Sequence, residues 1–368
     1  SPLQPGQARR DSSDSMVKKK AVDVLVIGGE EILPGERRNI EIAVAPTYTH
    51  DTLSISVQVI RGKLPGPKLF VCAAIHGDEI NGVEIIRRLL KNPMLDKLKG
   101  TLIAIPIVNI YGFQHRTRYL PDGRDLNRSF PGSARGSLTG RLADVFMKEI
   151  VANSTHGIDL HTGARHRSNF PQIRADLDDP ATLDITEAFG APLAINARIR
   201  DGSLRQVASE QGVPVILYES CEALRFDEIY IRAGEIGVTN VMRHLGMLRK
   251  RRTKNKPPII CQSTQWVRAP ESGVLRVLVP LGAEVLRGQT IGIIADPLGT
   301  REVDVVAEQA GIIIGRTNLP LVYEGDALFH VAAMDSKEAW EVDEFHEALE
   351  PTEQEIDSED LSTAPIAD

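Results

Sequence analysis

Apolar and polar positions follow two rhythms along this chain. Period-two alternation rich in β-branched residues marks 22–27, 38–45 and 53–61, with Gly, Pro and Asp turns between them. These segments predict antiparallel strands flanking a core strand at 67–75. A helical rhythm then runs from Ile80 to Lys91 through Val83, Ile85, Ile86, Leu89 and Leu90. The next strand is expected at 101–108, a long loop at 109–137, and an amphipathic helix at 138–152 with Leu142, Val145, Phe146 and Ile150 on one face. Strands at 156–161, 191–194 and 213–218 alternate with helices at 181–189, 203–211 and 227–245. Such alternation predicts an α/β domain with a largely parallel sheet over residues 21–250.

A basic, Pro-containing stretch at 249–258 breaks this pattern and reads as a linker, with its core at 251–258. From 259 to 335 the chain is rich in Gly and Val, with short strands and no helical period, so a small all-β domain is expected. Its halves echo each other, Gly273 and Gly288 being answered by Gly311 and Gly325. This resembles the biotinyl/lipoyl-carrier barrel, a barrel-sandwich of two similar halves. Carriers need a lysine at the turn between halves, and residues 257–336 contain none, so carriage is excluded. Residues 1–20 are polar and aperiodic and read as a disordered tail.

With 368 residues, 42% of them hydrophobic and 25% charged, the chain suits a soluble protein of two domains. No apolar run reaches the length of a membrane span, and no signal-peptide segment is seen, so a cytoplasmic location is expected. A symmetric homo-oligomer is a common state for a chain of this size. Cys72, Cys221 and Cys261 are isolated and show no paired metal spacing; Cys72 and Cys221 lie in apolar runs as small buried hydrophobes. The net charge of −7 is unevenly spread, because residues 338–368 hold twelve Asp or Glu and no Lys or Arg. Removing those twelve charges leaves the rest of the chain at +5. Residues 336–368 therefore read as an acidic, solvated tail. Neither nucleic acid nor a membrane is an expected partner.

Candidate chemistry concentrates where strands end. His76-Gly77-Asp78-Glu79 closes the core strand just before a helix, a position where α/β sheets place their active groups. An imidazole and a carboxylate at this spacing can converge on one metal ion. Asp159-Leu160-His161-Thr162-Gly163 ends a later strand with a second His, and Glu219 ends the strand at 213–218. The long loop offers Arg118 and then Asp125-Leu126-Asn127-Arg128, an amide beside a guanidinium. Each motif alone is short; their order along one chain carries the signal.

Taken together, these residues resemble the succinylglutamate desuccinylase/aspartoacylase family of the zinc carboxypeptidase-like superfamily, over roughly residues 22 to 335. The resemblance implies a mixed sheet flanked by helices with a small carboxy-terminal β-domain. It implies one Zn2+ per chain on His76, Glu79 and His161, with Glu219 as general base. Asn127 and Arg128 would bind a substrate carboxylate, and Arg118 would face the scissile carbonyl. Arg174 is a candidate for a second carboxylate, with a structural salt bridge as the other reading. Asp159 is expected to orient a ligand, and Asp78 to do the same for His76. The implied activity is hydrolysis of the amide of a small N-acyl amino acid or related N-acyl compound. A metallocarboxypeptidase acting on short peptides and a non-catalytic binding protein are the alternatives.

Overall fold

A computed structural model describes residues 24–197, 201–251 and 256–334, together with Phe345 and Leu349. The amino-terminal tail and most of the acidic tail lie outside the described residues, as do 252–255 of the linker. Strands β1 (Leu25–Ile27) and β2 (Glu30–Ile32) form a small hairpin. The chain continues through β3 (Arg37–Pro46), β4 (Thr52–Arg61), β5 (Leu64–Ala73), α1 (Asn81–Lys91), β6 (Lys99–Ile105), α2 (Ile110–His115) and α3 (Leu138–Glu149). Then come β7 (His156–Gly163), β8 (Arg167–Ala175), α4 (Pro180–Phe189), β9 (Leu193–Asn196), α5 (Leu204–Glu210), β10 (Val215–Glu222) and α6 (Glu228–His244). The remainder is strand: β11 (Ile259–Cys261), β12 (Thr264–Arg268), β13 (Gly273–Val277), β14 (Glu284–Val285), β15 (Thr290–Ala295), β16 (Glu302–Val306), β17 (Gly311–Thr317), β18 (Leu321–Val322) and β19 (Ala327–Ala332).

The middle of the large sheet is parallel: β6, β5, β7 and β10 lie side by side, pointing one way. Antiparallel β4 and β3 extend one side. Each face carries its own core. On one, Leu142 and Phe146 of α3 and Leu204 of α5 pack with Phe70, Ile103 and Val215. On the other, Ile85 of α1, Ile185 of α4 and Val238 of α6 pack with Val71, Ile158 and Ile216. Both faces of the parallel strands are therefore buried, as parallel strands require.

Three sequence expectations need correction. Residues 167–175 form β8, a strand the sequence reading left out. Pro171 argues against a strand interior, because it cannot donate to the ladder. Here it falls where the pairing with β10 slips: Glu219 lies opposite Gln172, but Cys221 lies opposite Asn169. A bulge absorbs the proline. The loop at 109–137 is also less open than expected, holding α2 and a 3-10 turn at Leu126–Arg128. The acidic tail, finally, is not wholly solvated. Phe345 and Leu349 are buried, with Phe345 against Phe170 at a ring separation of 5.7 Å and both clustered with Ile195, Ile259 and Ile314.

The large sheet does not stop at the linker. β17 pairs with β8, and β19 and β12 follow, so the carboxy-terminal strands extend the large sheet. A separate four-stranded sheet, β16-β15-β13-β18, packs with them around Phe329, Ile291 and Val267.

Burial of Phe345 makes the tail part of the stability of the fold. Phe345→Ala is expected to cost about 3 kcal/mol, seen as a lower urea midpoint with an unchanged slope. An unchanged midpoint would show that the aromatic contact contributes nothing.

Candidate metal and substrate site

Three parallel strands deliver the central residues to one edge. His76 and Glu79 follow β5, His161 lies near the end of β7, and Glu219 sits in β10 directly opposite His161 in the ladder. The turn after β5 is tight and strained. Ala74 has φ +52, and Gly77 packs so closely on α2 that a Cβ would come 2.0 Å from the Gly112 carbonyl carbon. Only glycine fits there. Cys221, two residues past Glu219, also has positive φ (+69). Backbone strain on both sides of the site is held by the surrounding core.

His76, Glu79 and His161 are almost wholly buried, and their donor atoms lie within 4.8 Å of one another. The Glu79 carboxylate bridges the two imidazoles, 2.8 Å from His76 Nδ1 and 2.7 Å from His161 Nδ1. The Thr162 amide also donates to it, at 3.1 Å. Behind each ring stands a second carboxylate. Asp125 Oδ1 lies 3.0 Å from His76 Nε2, and Asp159 Oδ2 lies 2.8 Å from His161 Nε2. Each Nε2–H then donates outward, which leaves Nδ1 as the inward-facing donor. Two imidazole nitrogens and a carboxylate, oriented from behind, fit one metal ion in an open site.

The charges of this cluster support one another. Burial lowers the proton affinity of His161, but Asp159 and Glu79 outweigh it and hold the imidazole well above its ordinary range. His76 is raised in the same way, burial being overcome by Glu79 and Asp125. Burial pushes Glu79 up, yet the two imidazoles more than offset it, and its carboxyl stays far below the usual range. Asp125 is depressed too, against its burial, by His76 and Arg118.

Asp125 ties the candidate metal ligands to the loop that carries Asn127 and Arg128. Its Oδ1 also accepts from the Asn127 amide at 2.9 Å, and its Oδ2 accepts from Arg118 Nη2 at 3.0 Å. Arg118 Nη1 reaches Glu79 at 3.3 Å. Asn127 is buried and accepts from the Leu204 amide at 3.0 Å, while Arg128 Nη1 donates to the Asn127 carbonyl at 2.6 Å. Arg174 forms an ion pair with Glu219, its Nε 2.8 Å from Oε2. The sequence reading has Asp78 orienting His76; instead it pairs with Arg165 at 3.5 Å, and Asp125 takes that place. The signal for Asp125 was its place at the start of the Asp-Leu-Asn-Arg run, which sequence reading used only for its last two residues.

The eight residues given ligand, catalytic or substrate roles from the sequence line one cavity of about 270 Å³: His76, Glu79, Arg118, Asn127, Arg128, His161, Arg174 and Glu219. Residues missed by the sequence reading join them, among them Arg167 and Asn169 of β8, Arg205 of α5, Trp266 of β12 and His330 of β19. β8 was not anticipated as a strand, and the carboxy-terminal residues reach the cavity only through the continuous sheet.

Comparison with known proteins agrees with this geometry. Residues 65–245 match the succinylglutamate desuccinylase/aspartoacylase catalytic domain. The N-alpha-acetyl-L-2,4-diaminobutyric acid deacetylase of Halomonas elongata is 29% identical over 281 residues, 73% of this chain and 82% of that protein. A succinylglutamate desuccinylase/aspartoacylase from Rhodobacter sphaeroides superposes with a TM-score of 0.72 at 26% identity, covering 81% of this chain and 96% of that one. The product-bound ectoine utilization protein EutE (DoeB) from Ruegeria pomeroyi shares the fold, with a TM-score of 0.72 at 24% identity over 82% of this chain and 97% of its own.

The raised imidazoles set a pH dependence. Ligation requires neutral rings, so binding of an added divalent ion, with zinc as probe, is expected to release protons and to tighten as pH rises above the ordinary His range. Asp125→Asn is expected to weaken zinc affinity by roughly 10- to 100-fold. Affinity that is flat with pH and unmoved by Asp125→Asn would show that the ion binds elsewhere.

Proposed function

From the match of residues 65–245 to the succinylglutamate desuccinylase/aspartoacylase catalytic domain, we propose that this chain is a zinc-dependent deacylase hydrolysing the amide of an N-acyl amino acid. The observation that carries the reading is the register of β10 on β7. It sets a carboxylate, Glu219, beside the ligand His161, in a cavity also lined by Asn127 and Arg128. The deacetylase named for the Halomonas elongata relative supports an amide of an acylated amino acid as the substrate.

His76, Glu79 and His161 would hold the zinc, which supplies a water of lowered pKa, near 7 rather than about 15.7, and polarises the carbonyl. Glu219 would take the proton of the attacking water on a carboxylate oxygen and deliver it to the leaving amine nitrogen. Arg174, already against Glu219, fixes the carboxylate's direction; binding a substrate carboxylate instead would require that pair to open. Arg118, held by Asp125, donates toward the carbonyl oxygen as negative charge develops there. Asn127 and Arg128 take the free carboxylate of the amino acid, for which the planar guanidinium fork is suited and lysine is not.

Glu219→Gln keeps the volume and removes the base, so zinc content should persist while turnover falls at least ~10²-fold. Surviving turnover would assign water activation to another group. The carboxylate clamp is tested on the unmutated enzyme, by comparing an N-acyl amino acid with its α-carboxamide. A charged hydrogen bond contributes about 1.5–3 kcal/mol, so the amide is expected to lose roughly 10- to 100-fold in kcat/KM. Equal rates would remove Arg128 from carboxylate recognition.

A further inference from the structure

Charge on this chain is divided by position. Residues 249–256 hold six Lys or Arg among eight, whereas residues 350–360 hold six Asp or Glu among eleven and no basic residue. The basic stretch opens beside a groove on the outer side of α4 and α6. Glu187 and Ala188 of α4, Arg243 and His244 of α6, and then Lys250 and Arg251 line it. His244 is already engaged by Asp184 at 2.7 Å. Three cations, Arg243, Lys250 and Arg251, therefore face one carboxylate, Glu187. Lys250, Arg251 and the adjacent Arg249 are exposed and make no ion pair or hydrogen bond among the described residues. Burial, and then the like charge of Arg251, hold the Arg243 guanidinium below its ordinary proton affinity. Cations gathered in this way repel one another until a counter-ion joins them.

The acidic stretch begins close to that groove. Phe345 and Leu349 are buried in one cluster with Leu193 of β9 and Ile259 of β11. Glu350 follows Leu349 directly, so the acidic run starts at this anchor. Leu193 stands five residues beyond Ala188 of the groove, a path of at most about 18 Å. Residues 350–360 can span roughly 38 Å when extended, enough to cross the cluster and reach the groove. A segment tethered at such short range acts at an effective concentration on the order of millimolar. Exposed ion pairs that are weak one at a time can then hold as a set.

We infer that the groove between α4 and α6 is the docking site of the chain's own acidic segment, residues 350–360, seated on Arg243, Lys250 and Arg251. The buried anchors and the charge balance favour this occupant over a nucleic acid. A separate polyanion would approach a chain of net charge −7, whereas the segment is already held beside its site. The inference uses no residue of the metal and substrate site and stands independently of the deacylase reading.

A zero-length carbodiimide reagent joins a lysine amine to a carboxylate in contact with it. On the full chain at low salt it is expected to link Lys250 to carboxylates of residues 350–360 within a monomer, read by peptide mass spectrometry. At about 0.5 M salt, where screening confines such attractions to a few ångströms, that link should fall roughly 5-fold or more. Arg249→Glu with Arg251→Glu should weaken it to a similar degree at low salt. Cleavage by a glutamyl endopeptidase after Glu353 and Glu355 should be about 5-fold faster in this double variant than in the unmutated chain at the same low salt. If the double variant does not fold, Arg251→Gln is read by the same cleavage rate. Absence of the link to Lys250, or equal cleavage rates, would overturn the inference. Links found only between two chains would also overturn it, making a second copy the occupant. So would a labelled oligonucleotide that the full chain binds at low salt and the double variant does not, because the groove would then serve a separate polyanion.

Discussion

The structure depends on one buried carboxylate shared between two imidazoles. Glu79 is almost wholly removed from water, and an ionised group so placed is tolerated only when surrounded by donors. His76, His161, the Thr162 amide and Arg118 provide them. Those donors need support of their own, which Asp125 and Asp159 give from the far side of each ring. Even Cys72, in the core of β5, points its thiol at Asp159 from 3.4 Å. The polar network thus reaches into the hydrophobic centre of the sheet, and every member within it has a partner.

Such a network cannot be built on one element. Its members come from β5 and the turn that follows it, from β7, and from the loop before α3. Parallel strands bring their carboxyl ends to a common edge, which is why sequence positions more than eighty residues apart meet within hydrogen-bonding distance. The backbone strain at Ala74 and Cys221 belongs to the same arrangement, because each chain must turn sharply where its functional side chain is presented.

Much of this was legible in the sequence. The apolar run before His76, the helical rhythm from Ile80 and the strand-ending motifs at His161 and Glu219 carry local signals that tertiary packing does not override. Illegible parts were those set by partners distant in the chain. β8 reads poorly because Pro171 contradicts a strand until the bulge opposite Cys221 is known. Asp125 looks like any loop aspartate until His76 is placed beside it. Trp266 and His330 look like ordinary residues of a β-domain, since nothing local says that their strands join the sheet that holds His76, Glu79 and His161. Phe345 was hidden by its acidic surroundings, which favour a solvated reading although a single aromatic ring can still find a buried place.

The hydrogen bonding of β17 to β8 has a consequence for how this molecule can be varied. The strand carrying Arg167 and Arg174 has no free edge along that stretch; its outer ladder belongs to the carboxy-terminal strands. The carboxy-terminal strand region is therefore not a detachable module. A chimera that exchanged it would move the wall of the cavity and the register of an arginine-bearing strand together. Shape selectivity and scaffold integrity are written into the same backbone ladder, and neither can drift far in evolution or design without the other.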